Sequence, residues 1–338
     1  MIQIGIVGFG FMGRMHFRCW QGLEGVEVTA ICETNPNIVE EAQKDVGNIE
    51  GYAEQIDFTK LKVYNDLGKM LRDESLDAVS LTVPTFLHPD LTIQALRAGV
   101  HVLCEKPMAL TVADCDRMIE AAEKSGKVLQ IGHCVRFWPE YAEAKRIVDS
   151  GKYGRVIAAT LQRLGAPPSW GQDNWFMNEQ RSGGMVLDLH IHDTDYVQYL
   201  LGVPKSVQSF GAQISGGTAH VVTHYLYGED MAVTAEGGWA MMPGFGFEMS
   251  FNLVLEKATL VYDCTRDPAF RVCPADGDAF SPEVDGKDGY VLQTEHFVKR
   301  IQGETVAPIT TLEASRESLR IVEAEKESLR TGKAALLR

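Results

Sequence analysis

Through the first 132 residues, short apolar runs alternate with helical patterns. Ile2–Val7, Val26–Cys32, a run near Val63, Asp77–Val83, Val100–Cys104 and Val128–Gly132 read as strands rich in apolar residues, as expected where a sheet is covered on both faces. Between them, Met12, Met15, His16 and Cys19 mark a helix, His88–Ala98 is a helix stopped by Gly99, and Val112–Lys124 is another stopped by Gly126. Alternation of this kind predicts right-handed crossovers and a parallel sheet. After Gly132 the pattern changes. A helix over Tyr141–Ser150 leads into segments of alternating polarity: Val156–Leu164, Ser206–Ile214, Ala219–Tyr227, Ala232–Trp239, Glu248–Leu255 and Thr259–Tyr262. These predict a mostly antiparallel sheet with one covered face. Ser182–Gly202 reads as one helix opened by glycines, and Glu313–Thr331 as a closing helix. Pro243–Phe247 and Cys273–Gly289 read as Gly/Pro/Asp-rich loops.

The first strand runs into Gly8-Phe9-Gly10-Phe11-Met12-Gly13, a G-x-G-x-x-G in its required strand–turn–helix setting. Gly8 makes the tight turn, Gly10 admits a pyrophosphate to the backbone, and Gly13 lets helix and strand pack closely. Glu33 stands at the end of the second strand, where a carboxylate holds the ribose hydroxyls of NAD. Its charge repels a 2′-phosphate, and Thr34–Ile38 supply no Arg or Lys, so NAD is favoured over NADP, with Arg14 the one cation nearby. The expected class is α/β. A doubly wound parallel Rossmann sheet (residues 1–132) is joined to a C-terminal α+β domain (133–338) with a large open, mostly antiparallel sheet, and the closing helix is placed to pack back on the first domain.

Composition narrows the partners. The 338 residues carry a formal net charge of -14, which disfavours nucleic acid and anionic lipid. No apolar run approaches the ~20 residues of a membrane span. Met1 leads straight into a strand without a basic leader, and the seven cysteines form no C-x-x-C pair. Reduced cysteines and a cytoplasmic location are the expectation.

Lys106 follows a strand end in a sheet of the kind that binds ligands there. It could polarise a hydroxyl or carbonyl oxygen beside a nicotinamide, although a solvated surface lysine fits the same position. In Ser182–Gly202, Asp188, His192, Asp195 and Tyr199 fall on one helical stripe. Either that stripe is a solvated face or polar seam, or it carries a His with a carboxylate one turn away, the arrangement of a tuned general base. His190 lies off it, so His-x-His makes a poor metal site and no metal is expected.

Taken in order, these residues resemble the Gfo/Idh/MocA family of NAD(P)-dependent sugar and inositol oxidoreductases over nearly the whole chain. The matching motifs are Gly8 to Gly13 with Phe11, Met12 and His16; Thr82-Val83-Pro84 with His88; Glu105-Lys106-Pro107; Arg136 and Pro139; and Ser182-Gly183-Gly184 through Asp188 and His192 to Asp195. Thr85 stands where the family often has Asn, and the paired arginines of inositol-type members are reduced to Val135-Arg136. The resemblance implies cofactor contacts from Gly8, Gly10, Phe11, Met12, Gly13, Glu33, Thr82, Pro84, His88, Glu105 and Lys106. It implies Lys106, Asp188 and His192 as the catalytic group, and substrate contacts from these three with Arg136, Asn174 and Trp175. It also implies a homo-oligomer (dimer or tetramer) joined through the open sheet. The activity expected is NAD-dependent oxidation of a secondary hydroxyl on a cyclic polyol or sugar. An NAD-recycling glycosidase of the same family and a non-catalytic cofactor-binding regulator are the alternatives.

Overall fold

The apolar runs near the N-terminus become a parallel sheet in the computed structural model, which describes residues 1–41, 56–169, 171–214, 217–228 and 230–337. In chain order they give β1 (Ile2–Val7), α1 (Phe11–Gln21), β2 (Val26–Cys32), α2 (Ile38–Glu41), β3 (Lys62–Tyr64), α3 (Leu67–Asp73) and β4 (Ala78–Leu81). Then come α4 (His88–Arg97), β5 (His101–Glu105), α5 (Val112–Ser125) and β6 (Leu129–Gly132). The six strands lie in the order β3-β2-β1-β4-β5-β6, parallel throughout. The order reverses between β1 and β4, and ligands in such sheets sit outside the carboxyl ends at that point. The helix ends follow local chemistry. The Thr111 hydroxyl accepts from Asp114 N at the start of α5, and Gly126, at φ 65°, ends it.

Downstream lie α6 (Pro139–Asp149), β7 (Val156–Gly165), α7 (Glu179–Ser182), a π-helical turn (Val186–His190) and α8 (Ile191–Leu201). They are followed by β8 (Ser206–Ile214), β9 (Gly217–Leu226), β10 (Ala232–Gly238), β11 (Phe247–Leu255), β12 (Ala258–Asp263) and β13 (Phe270–Pro274). The last elements are α9 (Gly289–Ile301), α10 (Leu312–Thr331) and β14 (Ala335–Leu336). The chain divides into two units. One holds Met1–Cys134, Pro168–Ser182 and Tyr290–Arg316, and the other Val135–Pro167, Gly183–Gly289 and Glu317–Arg338. A single boundary at residue 132 misses these returning segments. The reason is visible in the first core, where Phe297 and Val298 of α9 join Ile4, Ile6, Trp20 and Leu103. The Trp20 and Phe297 rings meet edge to face at 6.1 Å.

In the second unit eight strands run β13-β12-β11-β7-β10-β9-β8-β14. Neighbours are antiparallel except β7 and β10, which run parallel. β11 shows the alternation: Met249, Phe251, Leu253 and Leu255 are buried, while Asn252 and Val254 are exposed. On the covered face, the Tyr141 ring of α6 meets Tyr196 of α8, Phe251 and Tyr262 at 4.7, 4.9 and 5.2 Å. The other face leaves Phe210, Ile214 and Val254 exposed. Among the described residues, no helix is long and apolar enough to cross a membrane.

Three elements differ from the expectation. Ser182–Gly202 is not one helix, because Gly183 and Gly184 take φ of 80° and 75°, and the chain re-enters through the π turn. α9 escapes the hydrophobic pattern because polar Gln293 and Thr294 are fully buried on it. β13 (Phe270–Pro274) is a strand the pattern does not predict, and it enters the loop-like stretch Cys273–Gly289 only with its last two residues; flanking Pro, Asp and Gly mask its alternation.

Phe251 is fully buried beneath four aromatic rings. Phe251→Ala is expected to cost about 3–5 kcal/mol through lost contacts and a residual cavity. A lowered urea midpoint checks this, and an unmoved midpoint contradicts the packing described.

Candidate active site

In the first unit the glycine turn is built by close backbone approach. A Cβ on Gly13 would lie 2.2 Å from Gly8 O, and one on Gly8 (φ 83°) would lie 2.8 Å from Thr82 O. Gly10 caps α1 and faces open space, with no side chain capping the helix and no acidic residue in its first turn. Such a helix start offers amide donors and a positive dipole end to a phosphate. Phe11 and Met12, in that first turn, are part-buried. Glu33 accepts from Phe9 N at 2.7 Å through one carboxyl oxygen and from Asn35 N at 2.9 Å through the other. The Thr82 hydroxyl donates to Gly8 O at 2.6 Å, tying the ends of β1 and β4. This cradle, with its carboxylate at the end of β2, fits a dinucleotide.

β5 ends at Glu105, whose side chain turns inward. Its Oε1 meets His16 Nε2 at 2.9 Å, and its Oε2 accepts from Lys106 N at 3.2 Å. His16 Nδ1 in turn meets Ser80 Oγ at 2.9 Å, which also accepts from the Trp20 indole. Burial pushes the Glu105 carboxyl up, but the hydrogen bond and field of His16, with Lys106, outweigh it and hold the carboxyl below its ordinary value. His88 is buried between two carbonyls, with Nδ1 at 2.8 Å from Pro107 O and Nε2 at 2.9 Å from Val83 O. Burial, its largest influence, lowers its pKa. A neutral ring donates to only one of the two carbonyls. Glu105 and His88 are both among the expected cofactor contacts. In the structure both hydrogen-bond within the protein and brace the loop that carries Lys106 from two sides. Lys106 itself is part-exposed, Pro84 begins the turn below His88, and the Lys106–Pro107 peptide is cis. Asn174 lies in the same unit, exposed and with φ 49° beside Asp173 at 53°. Trp175 stacks on Phe176 at 4.0 Å.

In the second unit the expected stripe separates. Asp195 is buried and paired in a fork with Arg136, Nε to Oδ2 at 2.8 Å and Nη2 to Oδ1 at 2.7 Å. The Ser318 hydroxyl donates to Asp195 as well. The guanidinium of Arg136 also lies over the Tyr199 ring at 4.6 Å. Arg136 is 3% exposed, so its side chain serves this seam and is not open to a substrate. Asp193 forms a second buried fork with Arg163, at 2.8 and 3.2 Å. Asp188 and His192 stay part-exposed. The π turn changes the phase of the helix between Asp188 and the later positions, and such turns recur at functional sites.

Two family models match the chain: an oxidoreductase family with an NAD-binding Rossmann fold over residues 2–133, and the GFO/IDH/MocA C-terminal domain over residues 141–261. The chain belongs to the Gfo/Idh/MocA family. It is 26% identical to a myo-inositol 2-dehydrogenase of Thermotoga maritima over 347 residues, covering 97% of this chain and 96% of that protein. It is 30% identical to a 2,7-anhydro-N-acetylneuraminate hydratase of Mediterraneibacter gnavus over 211 residues, 62% of this chain and 52% of that one. The chain spans 52–58% of the length of the relatives it matches at 30–32% identity. Among solved structures, the WlbA dehydrogenase of Bordetella pertussis in complex with NADH and UDP-GlcNAcA superposes with a TM-score of 0.83 at 23% identity. That match covers 100% of this chain and 98% of the other, and it is a likeness of fold.

This Gfo/Idh/MocA member also holds a buried polar cluster that sequence reasoning missed, since its members are scattered along the chain. Glu325 Oε1 accepts from Tyr225 OH at 2.7 Å and Thr194 Oγ1 at 2.9 Å, with His190 Nε2 at 3.7 Å. Burial pushes the Glu325 carboxyl up to about 8, against an ordinary 4.5. Burial, then Arg163 and His220, push His190 down to about 3, against 6.5. The native state therefore keeps a Glu325 proton that the unfolded chain loses between pH 4.5 and 8, so this group's contribution to stability falls as pH rises across that window. His190 acts oppositely, weakening the fold as pH drops from 6.5 to 3. Of these two groups, only Glu325 still acts above pH 6.5. Glu325→Gln, which cannot ionise, is thus expected to lose less melting temperature than wild type between pH 6.5 and 8.5. Parallel melting profiles would contradict the buried neutral carboxyl.

Proposed function

We propose that this protein oxidises a secondary hydroxyl of a cyclic polyol or sugar, with Lys106, Asp188 and His192 acting on one reacting carbon. The observation that carries the reading is the doubly braced Lys106, held at the carboxyl end of β5 in an NAD-binding unit. The cofactor would be held by the Gly8–Gly13 turn through its phosphates and by Glu33 through its adenine ribose. NAD supplies the hydride acceptor. His192 takes the proton from the substrate hydroxyl as general base. Asp188, four residues earlier, either orients His192 or holds a neighbouring substrate hydroxyl. The Lys106 ammonium donates to the same substrate oxygen and stabilises negative charge as it develops there, a preorganised field of the kind that dominates many active sites. Asn174, at positive φ, and Trp175 beside it contribute substrate contacts. Glu105, His16 and His88 act by holding the lysine loop, and Arg136 by holding Asp195 and Tyr199. A second copy of the chain covers the exposed sheet face bearing Phe210 and Ile214.

A second reading is supported by the relative named as a hydratase. It keeps the same residues but uses bound NAD as a recycled redox partner, so that a glycoside or anhydrosugar is converted without net NADH.

Absorbance at 340 nm, read with NAD across inositols, aldoses, anhydrosugars and sugar acids, tests both. NADH growth with one substrate class supports the dehydrogenase, and product without NADH supports the recycling reading. No turnover of any kind contradicts both. With an active substrate, Lys106→Ala is expected to lower kcat about 10²-fold or more. Near-full activity in that variant would remove Lys106 from the chemistry.

A further inference from the structure

The segment from Gly183 to Thr194 carries Asp188 and His192. It begins with two glycines at positive φ, and its π turn starts without a side-chain cap. A slip of one residue would swing Asp188 by about 100° around the helix axis. Two anchors reach it from elsewhere in the second unit. Lys326 Nζ donates to Gly183 O at the front of the segment. Its neighbour Glu325 takes the Thr194 hydroxyl at the back at 2.9 Å, and Tyr225 of β9 adds its own hydroxyl to the same carboxyl oxygen. Between these anchors His190 points inward, its Nε2 at 3.4 Å from Tyr225 OH and 3.7 Å from Glu325 Oε1. The sheet makes room for that ring, since a Cβ on Gly237 of β10 would lie 2.5 Å from His190 Nδ1. With His190 turned inward, Asp188 and His192 keep their part-exposed positions on the same turn.

We propose that Glu325 and Lys326, adjacent on α10, are positioning residues: together they clamp Gly183–Thr194 at both ends and so set where Asp188 and His192 stand. Neither touches substrate. The inference rests on the functional reading above for its effect on turnover, but the clamp itself does not. Glu325 acts as a hydrogen-bond acceptor that a neutral amide can replace, which separates it from a residue needed for its charge. Buried polar groups of this kind are costly unless satisfied, and when satisfied they specify one arrangement.

The test combines peptide-level hydrogen–deuterium exchange with steady-state kinetics on Glu325→Ala, Glu325→Gln and Lys326→Met. The Ala and Met variants are expected to exchange about tenfold faster over residues 183–194, with β1–β6 unchanged. They are expected to lose about 10- to 100-fold in kcat while KM for NAD stays within about twofold, because the glycine turn and Glu33 lie in the other unit. Glu325→Gln restores both readouts to near wild type. Unchanged exchange in both Glu325→Ala and Lys326→Met would overturn the clamp, as would a Gln variant as damaged as Ala. If wild type turns over no sugar or polyol, the functional reading fails, and the exchange data alone still decide whether the clamp exists.

Discussion

The carboxylate of Glu105, 6% exposed at the end of β5, is the contact on which the arrangement of the first unit turns. A buried carboxylate needs partners, and here His16 supplies one from α1 while the Lys106 amide supplies another. Through His16 the link runs to Ser80 on β4 and to the Trp20 indole. One side chain thereby ties the first helix, the switch-point strand and the loop after β5 into a single block. Leaving such a carboxylate without its partner costs on the order of 3–5 kcal/mol. The cost falls on the elements that carry the glycine turn and Lys106, so the stability of the unit and the placement of its chemistry are not separable.

The second unit solves a related problem by sorting its carboxylates. Asp193 and Asp195 are consumed by Arg163 and Arg136 in buried forks, and these pairings fix α8 against its surroundings. Glu325 is kept neutral in the core, where its oxygen serves two hydroxyls. Asp188 is the part-exposed acid on the π turn, in the company of His192. The buried carboxylates of this unit thus build its frame, while Asp188 and His192 stay part-exposed.

Much of this was legible in the chain. The parallel strands stand out because both faces are buried and the apolar runs are nearly continuous. β2, predicted over Val26–Cys32, is observed over the same residues. The glycine turn is legible because three positions have distinct steric demands. The helix around His192 was placed, but its π turn was not, since a change of helical pitch leaves no mark in residue type. Arg136 was read as a substrate contact because an arginine near a site motif looks the same whether its partner is a ligand or Asp195. His16 and Glu105 show the same ambiguity. Their motif was recognised, but their roles as partners of one another depend on an 89-residue separation that only folding closes. α9 was hidden by Gln293 and Thr294, polar residues that the first unit buries.

The most direct test of the central claim uses a substrate deuterated at the carbon bearing the reacting hydroxyl. After a single turnover with NAD, mass spectrometry reads where the label went. The account predicts NADH one mass unit heavier and an oxidised product that has lost its deuterium. Product that retains or returns the label, with the cofactor recovered as NAD, would contradict net dehydrogenation by this chain.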